Sequence, residues 1–246
     1  MLNNIELFKF KRFIVNDINS NIINFYILLK DEYNYLKRYL CQIENTYNSF
    51  SNMQEKEEYY YQIREKFNNT DNKIRTVYFL FLMKAGFNGV YRENSKGKFN
   101  VPFGKKEYIR IDYDNLKHIS DLIQNVEFYN LEYKELFKLL KAKKIINNAF
   151  LYCDPPYLPE DEIVNQKQLL YTKEIFDHEE FVNNMIKLTS AKYMISMTDS
   201  KIANDIYKIY GKLEKCTAKE LIRTINPQKS FKSTELIFSN YIINKN

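Results

Sequence analysis

An apolar run, Ala149-Phe150-Leu151-Tyr152-Cys153, ends abruptly in Asp154-Pro155-Pro156-Tyr157. Proline locks φ and has no backbone N–H to give to a sheet, so a buried strand that reaches this point passes into a stiff loop opened by a carboxylate. The rest of the chain keeps the rhythm that such a strand requires. Phe13-Ile14-Val15 reads as a short strand ending in Asn16-Asp17. A helix is expected over about 21–42, capped by Asn19 or Ser20, with Ile22, Ile23, Tyr26, Ile27, Leu36 and Leu40 at helical spacing. Helices are also expected over 55–67 and 73–84, the second nearly apolar from Val77 to Leu82 and stopped by Gly86. A helix over 115–124 leads into a strand, Val126-Glu127-Phe128-Tyr129, and a helix over 133–141. Beyond the Asp154 loop the pattern predicts a helix over 177–188, a strand Tyr193-Met194-Ile195-Ser196, a helix over 200–210 and a final strand Leu236-Ile237-Phe238. Strands alternating with helices predict an α/β fold with a mostly parallel sheet covered on both faces.

The stretch 86–104 stands apart, because four of the chain's five glycines fall within it. Val90-Tyr91 and Phe99-Asn100-Val101 are β-prone and flank Asn94-Ser95-Lys96-Gly97, which predicts a β-hairpin or an extended loop. A length of 246 residues suffices for one α/β domain plus a subdomain with a sizeable core, and 45% hydrophobic with 28% charged residues suits a soluble globular protein. No window approaches the ~18 uninterrupted apolar residues of a membrane span. Glu6, Lys9, Lys11 and Arg12 interrupt the first segment, so no signal peptide is expected and the expected location is cytoplasmic. Cys41, Cys153 and Cys216 are far apart, and His118 and His178 are the sole histidines, which argues against a disulfide framework or a metal site. The net charge of +6, with Lys96, Lys98, Lys105, Lys106, Lys138, Lys141, Lys143 and Lys144, suits a polyanionic partner or simply a solvated basic surface.

In a parallel α/β sheet the loops at the carboxyl ends of the strands form the ligand crevice, so Asp17, Glu132 and Asp154 are expected to face one region. The Asp-Pro-Pro-Tyr loop has a chemical reading there. The exocyclic amine of adenine is a poor nucleophile because its lone pair is delocalised into the ring, and hydrogen bonds must draw that pair out. The Asp154 carboxylate can accept one amine hydrogen and the Pro155 carbonyl the other, while Pro155 and Pro156 keep both acceptors aimed and Tyr157 stacks on the base. The amine is then set for in-line attack on the methyl of a sulfonium donor, a reaction governed by positioning. Taken alone, Asp-Pro-Pro is a turn with a capping Asp; the apolar strand before it and the tyrosine after it favour a site. For Asp17 and Glu132 helix capping remains an alternative.

Gly86-Phe87-Asn88-Gly89-Val90-Tyr91-Arg92, then Asn94, Gly97 and Phe99-Asn100-Val101-Pro102-Phe103-Gly104, together with Asp-Pro-Pro-Tyr, resemble the Dam-type adenine methyltransferases, which methylate adenine N6 in duplex DNA, commonly within GATC. The resemblance runs from about Phe13 to Tyr241. It implies a Rossmann-like S-adenosylmethionine-dependent methyltransferase sheet, catalytic parts at 1–33 and 125–246, and an inserted, mainly helical DNA-recognition subdomain at 34–124 carrying the hairpin. It implies DNA contacts at Asn88, Val90, Tyr91, Arg92, Asn94 and Pro102, with Arg92 on guanine, Val90 wedged into the base stack and Pro102 against a thymine methyl; these roles are physically sensible for an arginine fork and two apolar groups. S-adenosyl-L-methionine is the implied cofactor, with Asp17 as the ribose-binding acid, Glu132 and Tyr133 beside its adenine, and Asp154 at the methyl end. Tyr171, Phe176, Asp177 and His178 resemble the segment after the catalytic loop, with His178 structural rather than catalytic.

The pattern departs from the family in one place. The family begins with a lysine-bearing cofactor motif and a Phe-x-Gly-x-Gly loop, whereas no glycine precedes Gly86 here and Met1 falls about one βα unit, roughly 30 residues, after the family's start. Three explanations stand open: a truncated remnant, a split enzyme completed by a separate polypeptide, and an initiation site assigned too late. The function expected is methyl transfer to adenine N6 in duplex DNA after base flipping, within GATC. The alternatives are a catalytically inactive DNA-binding remnant and a methyltransferase acting on RNA or protein. The expected partner is duplex DNA; a separate polypeptide supplying the amino-terminal segment and a companion restriction endonuclease stand as open alternatives.

Overall fold

The computed structural model describes residue 7 and residues 9–158, 176–226 and 229–243. It is a mixed α/β chain that separates into two compact units, Met1–Leu136 and Phe137–Asn246.

The first unit opens with β1 (Phe13–Asn16), which pairs in parallel with β2 (Val126–Tyr129), placing Val15 opposite Phe128. Five helices lie between them in sequence: α1 (Ser20–Asp31), α2 (Tyr33–Ser49), α3 (Met53–Asn69), α4 (Ile74–Ala85) and α5 (Tyr113–Leu122). Apolar residues at helical spacing dictate their packing. Leu36, Leu40, Ile43 and Tyr47 form the buried stripe of α2, and Tyr60, Ile63 and Phe67 that of α3. Val77, Phe79, Phe81, Leu82 and Ala85 are buried around most of the circumference of α4, which packs against α1, α2 and α3. Each of the larger aliphatic and phenylalanine side chains removed from water contributes about 1.5–3 kcal/mol.

One helix was expected over 21–42, and the structure has two. Glu32 leaves helical geometry at φ −138° and ψ 46°, and its N–H closes α1 on the Leu28 carbonyl. No glycine or proline marks the break; tertiary packing makes it. α1 and α2 both pack on α4 and α5, and α1 also packs on β2, with Tyr26 stacked on Phe128 at 5.5 Å and Lys30 donating to the Val126 carbonyl. The cap is Asn19, whose side chain accepts from the Asn21 N–H.

α6 (Tyr133–Ala142) carries the chain into the second unit. Its strands are β3 (Phe150–Cys153), β4 (Lys192–Thr198), β5 (Glu214–Asn226) and β6 (Lys229–Ser239), in the order β3-β4-β6-β5. β3 and β4 are parallel; β6 runs antiparallel to both β4 and β5. The sheet is therefore mixed where a mostly parallel one was expected, because the last strand returns as a hairpin whose first arm, β5, has too few consecutive apolar residues to stand out in the sequence. α7 (His178–Ile186) and a helical stretch, α8 (Lys201–Ala203) running on as a π-helix over Asn204–Tyr210, accompany the sheet. Phe181, Val182, Met185, Tyr193, Ile195, Met197, Tyr207, Leu236 and Phe238 form the core. No helix of the described residues is long and apolar enough to cross a membrane.

Candidate functional site

β3 stops at Cys153, and the loop that follows is braced from the neighbouring parallel strand. Cys153 pairs with Ile195, so the register brings Ser196 of β4 beside Asp154. Ser196 is buried, at 4% exposure, and its hydroxyl donates to the exposed Asp154 carboxylate at 2.7 Å. Pro155 is buried and Pro156 exposed, so the prolines seat the loop on one side and leave the other to solvent. Tyr157 is half-buried. Burial raises its phenol above the ordinary value of 10, a hydrogen bond with Ser196 opposes that shift, and the Asp154 and Glu235 charges add to it. Leu158 donates its N–H to the Met197 sulfur at 3.3 Å, a second tie to β4. Burial, followed by the Asp154 charge, pushes the Cys153 thiol up to about 12, which favours its protonated form. Ser196 was read as strand alone from the sequence; its role in the loop follows from register.

Asp17, Glu132 and Tyr133 come together in the first unit, at the carboxyl ends of the parallel pair β1 and β2. Two asparagines stitch the two loops to each other. Asn16 donates to the Leu131 carbonyl at 2.9 Å and accepts from the Leu131 N–H at 3.0 Å; Asn130 donates to the Asp17 and Ile18 carbonyls at 2.7 and 2.9 Å. Asp17 accepts from the Asn19 N–H at 2.7 Å, and since Asn19 caps α1, Asp17 is not the cap. Glu132 does close a helix end: its carboxylate accepts from the Lys134 N–H at 2.8 Å and its carbonyl from the Leu136 N–H. The Lys134 ammonium lies 5.8 Å from the Tyr133 ring centroid.

Asp154, Pro155, Pro156 and Tyr157 form their own cluster in the second unit. Farther along, Asp177 caps α7 by accepting from the Glu180 N–H, and Phe176 packs on Phe181. His178 is buried with Nδ1 2.6 Å from the Tyr207 hydroxyl, and desolvation lowers it to about 4. Tyr171 lies outside the described residues. Among the described residues no cluster of three or more His, Cys, Asp or Glu is arranged to hold a metal ion.

The stretch 86–104 folds as a twisted two-armed loop. Phe87 donates to the Pro102 carbonyl, Asn100 to Arg92 and Asn94 to Lys98, with antiparallel bridges at Gly86–Phe103 and Glu93–Phe99. Asn94 closes the tip by accepting from the Lys96 and Lys98 N–H groups at 2.9 and 3.1 Å. The returning arm alternates: Phe99, Val101 and Phe103 are buried, so Asn100 and Pro102 lie on the opposite face. Asn88, Val90, Arg92, Asn94 and Pro102 are exposed. Tyr91 is placed differently. Its ring lies against Phe79 and Phe99, its hydroxyl accepts from Asn21 and donates to Glu93, and burial with the Glu93 bond raises its pKa.

Beneath this loop is a feature the sequence reading missed. Lys56, Tyr60, Arg64 and Asn68 recur every fourth residue and so form one row along α3. Their polar tips grip the backbone above: Asn68 bonds both the carbonyl and N–H of Phe99 at 3.0 and 2.9 Å, Tyr60 and Arg64 bond the Val101 carbonyl at 3.0 and 3.1 Å, and Lys56 bonds the Glu107 carbonyl. Glu44 and Asn48 of α2 continue the clamp, taking the N–H groups of Ile111 and Ile109. The signal available in the sequence was the spacing itself, in a helix whose buried face carries long polar side chains.

A strand-end acid and prolines braced by a neighbouring strand in the second unit, and a clamped loop with exposed Arg, Asn and Pro in the first, are the two candidate sites of this mixed α/β protein. The chain belongs to the D12 class N6 adenine-specific DNA methyltransferase family, whose pattern matches residues 2–225. It is 28% identical over 249 residues to a type II methyltransferase, M.MjaIII, of Methanocaldococcus jannaschii, covering 96% of this chain and 83% of that protein. It is 32% identical over 201 residues to a DNA adenine methylase of Salmonella typhi, covering 80% of this chain and 63% of that one. With a DNA adenine methylase of Escherichia coli the identity is 35% over 160 residues, 63% of this chain and 52% of that one. The match thus spans between about half and four-fifths of these relatives' lengths.

Proposed function

We propose that this chain methylates N6 of adenine in duplex DNA, within GATC, using S-adenosyl-L-methionine and acting on a base swung out of the stack. The observation that carries the reading is the Asp154 loop, with its carboxylate held by the buried Ser196 hydroxyl at 2.7 Å. Asp154 and the Pro155 carbonyl accept the two amine hydrogens, which localises the lone pair on nitrogen and aims it; Tyr157 stacks on the extruded ring. Ser196 occupies one Asp154 oxygen, so the carboxylate is oriented before substrate arrives.

Asp17 and Glu132 suit the cofactor's polar groups by the chemistry of their donor set: two carboxylates on stitched neighbouring loops at parallel strand ends accept hydrogen bonds from ribose hydroxyls and a nucleobase amine, and Tyr133 adds an aromatic face. When bound, S-adenosylmethionine supplies an electrophilic methyl on a sulfonium. The division of labour places a Rossmann-like catalytic part at 1–33 and 125–246 and a DNA-recognition part at 34–124. In the latter, Asn88, Val90, Arg92, Asn94 and Pro102 reach DNA directly, and Tyr91 supports them from beneath. A guanidinium reads a guanine edge and the apolar Val90 and Pro102 suit a stack wedge and a thymine methyl.

Asp154→Ala is expected to abolish transfer of labelled methyl to a GATC duplex while leaving duplex binding in place. Undiminished transfer by the variant would overturn the assignment, and binding without transfer by the unaltered chain would mark it as a DNA-binding protein alone.

A further inference from the structure

Arg92 is solvent-exposed, and an exposed arginine ordinarily samples many rotamers and loses that freedom on fixing. Here it is held along one edge. The Asn100 side-chain oxygen accepts from Arg92 Nε at 2.8 Å, the Asn100 carbonyl accepts from Nη2 at 3.3 Å, and the Asn100 N–H donates to the Arg92 carbonyl at 3.0 Å. Asn100 is itself immobilised from below. The residue before it, Phe99, is buried and bonded through both backbone groups to Asn68; the residue after it, Val101, is fully buried and bonded to Tyr60 and Arg64. A rigid path therefore runs from the α3 row, through the returning arm, to the guanidinium.

A guanidinium has five N–H groups in a planar fork. With the Nε–H and one Nη2–H engaged by Asn100, the groups directed away from it are those of the terminal Nη1/Nη2 pair. Two such parallel donors match the O6 and N7 acceptors that guanine presents in the major groove. Pro102 stands on the same face of the returning arm two residues beyond Asn100, so Asn100 lies among the outward-facing positions without itself having to touch a base.

We propose that Asn100 is a specificity-determining positioning residue, which holds Arg92 so that its terminal fork meets one guanine of the target. The inference rests on the proposed reading of this loop as the DNA reader. It implies that discrimination at that base pair depends on an asparagine acting through the arginine, and that the Arg92 side chain arrives at DNA already oriented.

The test uses the full chain and duplexes carrying GATC, or GATC with one guanine replaced by adenine or by 7-deazaguanine, which lacks the N7 acceptor. Rates of methyl transfer give a discrimination ratio at each position. A good bidentate contact corresponds to a ratio of about 5- to 150-fold. Arg92→Ala should collapse the ratio at one guanine. Asn100→Ala, which removes the Nε acceptor and leaves both backbone bonds, should lower that same ratio about 3- to 10-fold, with the ratios at other positions unchanged. Asn100→Asp, which keeps an acceptor for Nε, should restore it. A uniform fall in all rates with every ratio preserved would make Asn100 merely structural and overturn the proposal, as would failure of Asn100→Asp to restore discrimination. If the unaltered chain methylates none of the duplexes, the proposed enzymatic function fails, and the same ratios read from equilibrium duplex binding decide the role of Asn100 separately.

Discussion

Replacing Ser196 with Ala removes one hydroxyl from a buried strand position and leaves the backbone of β4 unchanged. In the structure that hydroxyl donates to the Asp154 carboxylate at 2.7 Å, lies 3.4 Å from the Cys153 carbonyl and hydrogen-bonds with Tyr157. A hydrogen bond to a charged group is worth about 1.5–3 kcal/mol. Asp154 is exposed, so water takes up part of the lost bond and the lower end applies, about 1–2 kcal/mol. If that energy orients the carboxylate for the amine, the loss falls on the transfer step, and about 1.4 kcal/mol per tenfold converts it to a decrease of about 5- to 30-fold in kcat. Ser196 sits behind Asp154, so the KM for duplex should stay within about twofold, the signature of an interaction that matters most in the transition state. Single-turnover transfer of labelled methyl to a GATC duplex measures the step directly. Ser196→Thr retains the hydroxyl and should recover most of the rate. An Ala variant that is folded and transfers methyl at the original rate, where Asp154→Ala is inactive, would refute the idea that Ser196 orients the carboxylate.

Two further outcomes follow from geometry. His178, at 7% exposure, has a folded value of about 4 against 6.5 for the free side chain, so the neutral form is the one folding favours and its contribution is fully present above about pH 6.5. As pH falls towards 4 the unfolded chain gains a proton that the folded one excludes, and about 3 kcal/mol of stability should be lost at about 1.4 kcal/mol per pH unit; urea midpoints between pH 7 and 4 should show a shallower fall in His178→Gln, and equal slopes would contradict this account. Gly104→Ala places a Cβ 2.6 Å from the Ala85 carbonyl oxygen and 2.7 Å from that of Gly86, both backbone atoms that cannot swing aside. The base of the 86–104 loop must open, which should cost about 1–3 kcal/mol in thermal unfolding and, if the loop reads DNA as proposed, weaken duplex binding; an unchanged melting temperature would show that the contact relaxes freely.

What could be read in advance was local. Val126–Tyr129 and Phe150–Cys153 stand out because a few neighbouring apolar, β-prone residues are bounded by turn formers; α3 and α4 do so because their apolar side chains recur at helical spacing. A cap at Asn19 or Ser20, which the structure resolves to Asn19, and the loop opened by Asp154 also follow from residues within two or three positions of each other. The glycine-rich 86–104 loop and the Asp-Pro-Pro-Tyr loop pointed to the family by residue type and order alone. The remainder depended on partners distant in sequence. Ser196 and Asp154 are 42 residues apart and meet only through the parallel register of β3 and β4; Asn21 and Tyr91, 70 apart, turn a tyrosine inward that its neighbours would leave exposed. The break at Glu32 has no local signal, since it arises from what α1 and α2 each pack against, and β5 is defined by pairing with β6 rather than by its own composition. Residue type and spacing thus determined most of the elements and the chemistry they suggest, though not the break at Glu32 or the strand β5. Register and packing, which sum over contacts no short window contains, decided where those side chains point and what holds them there.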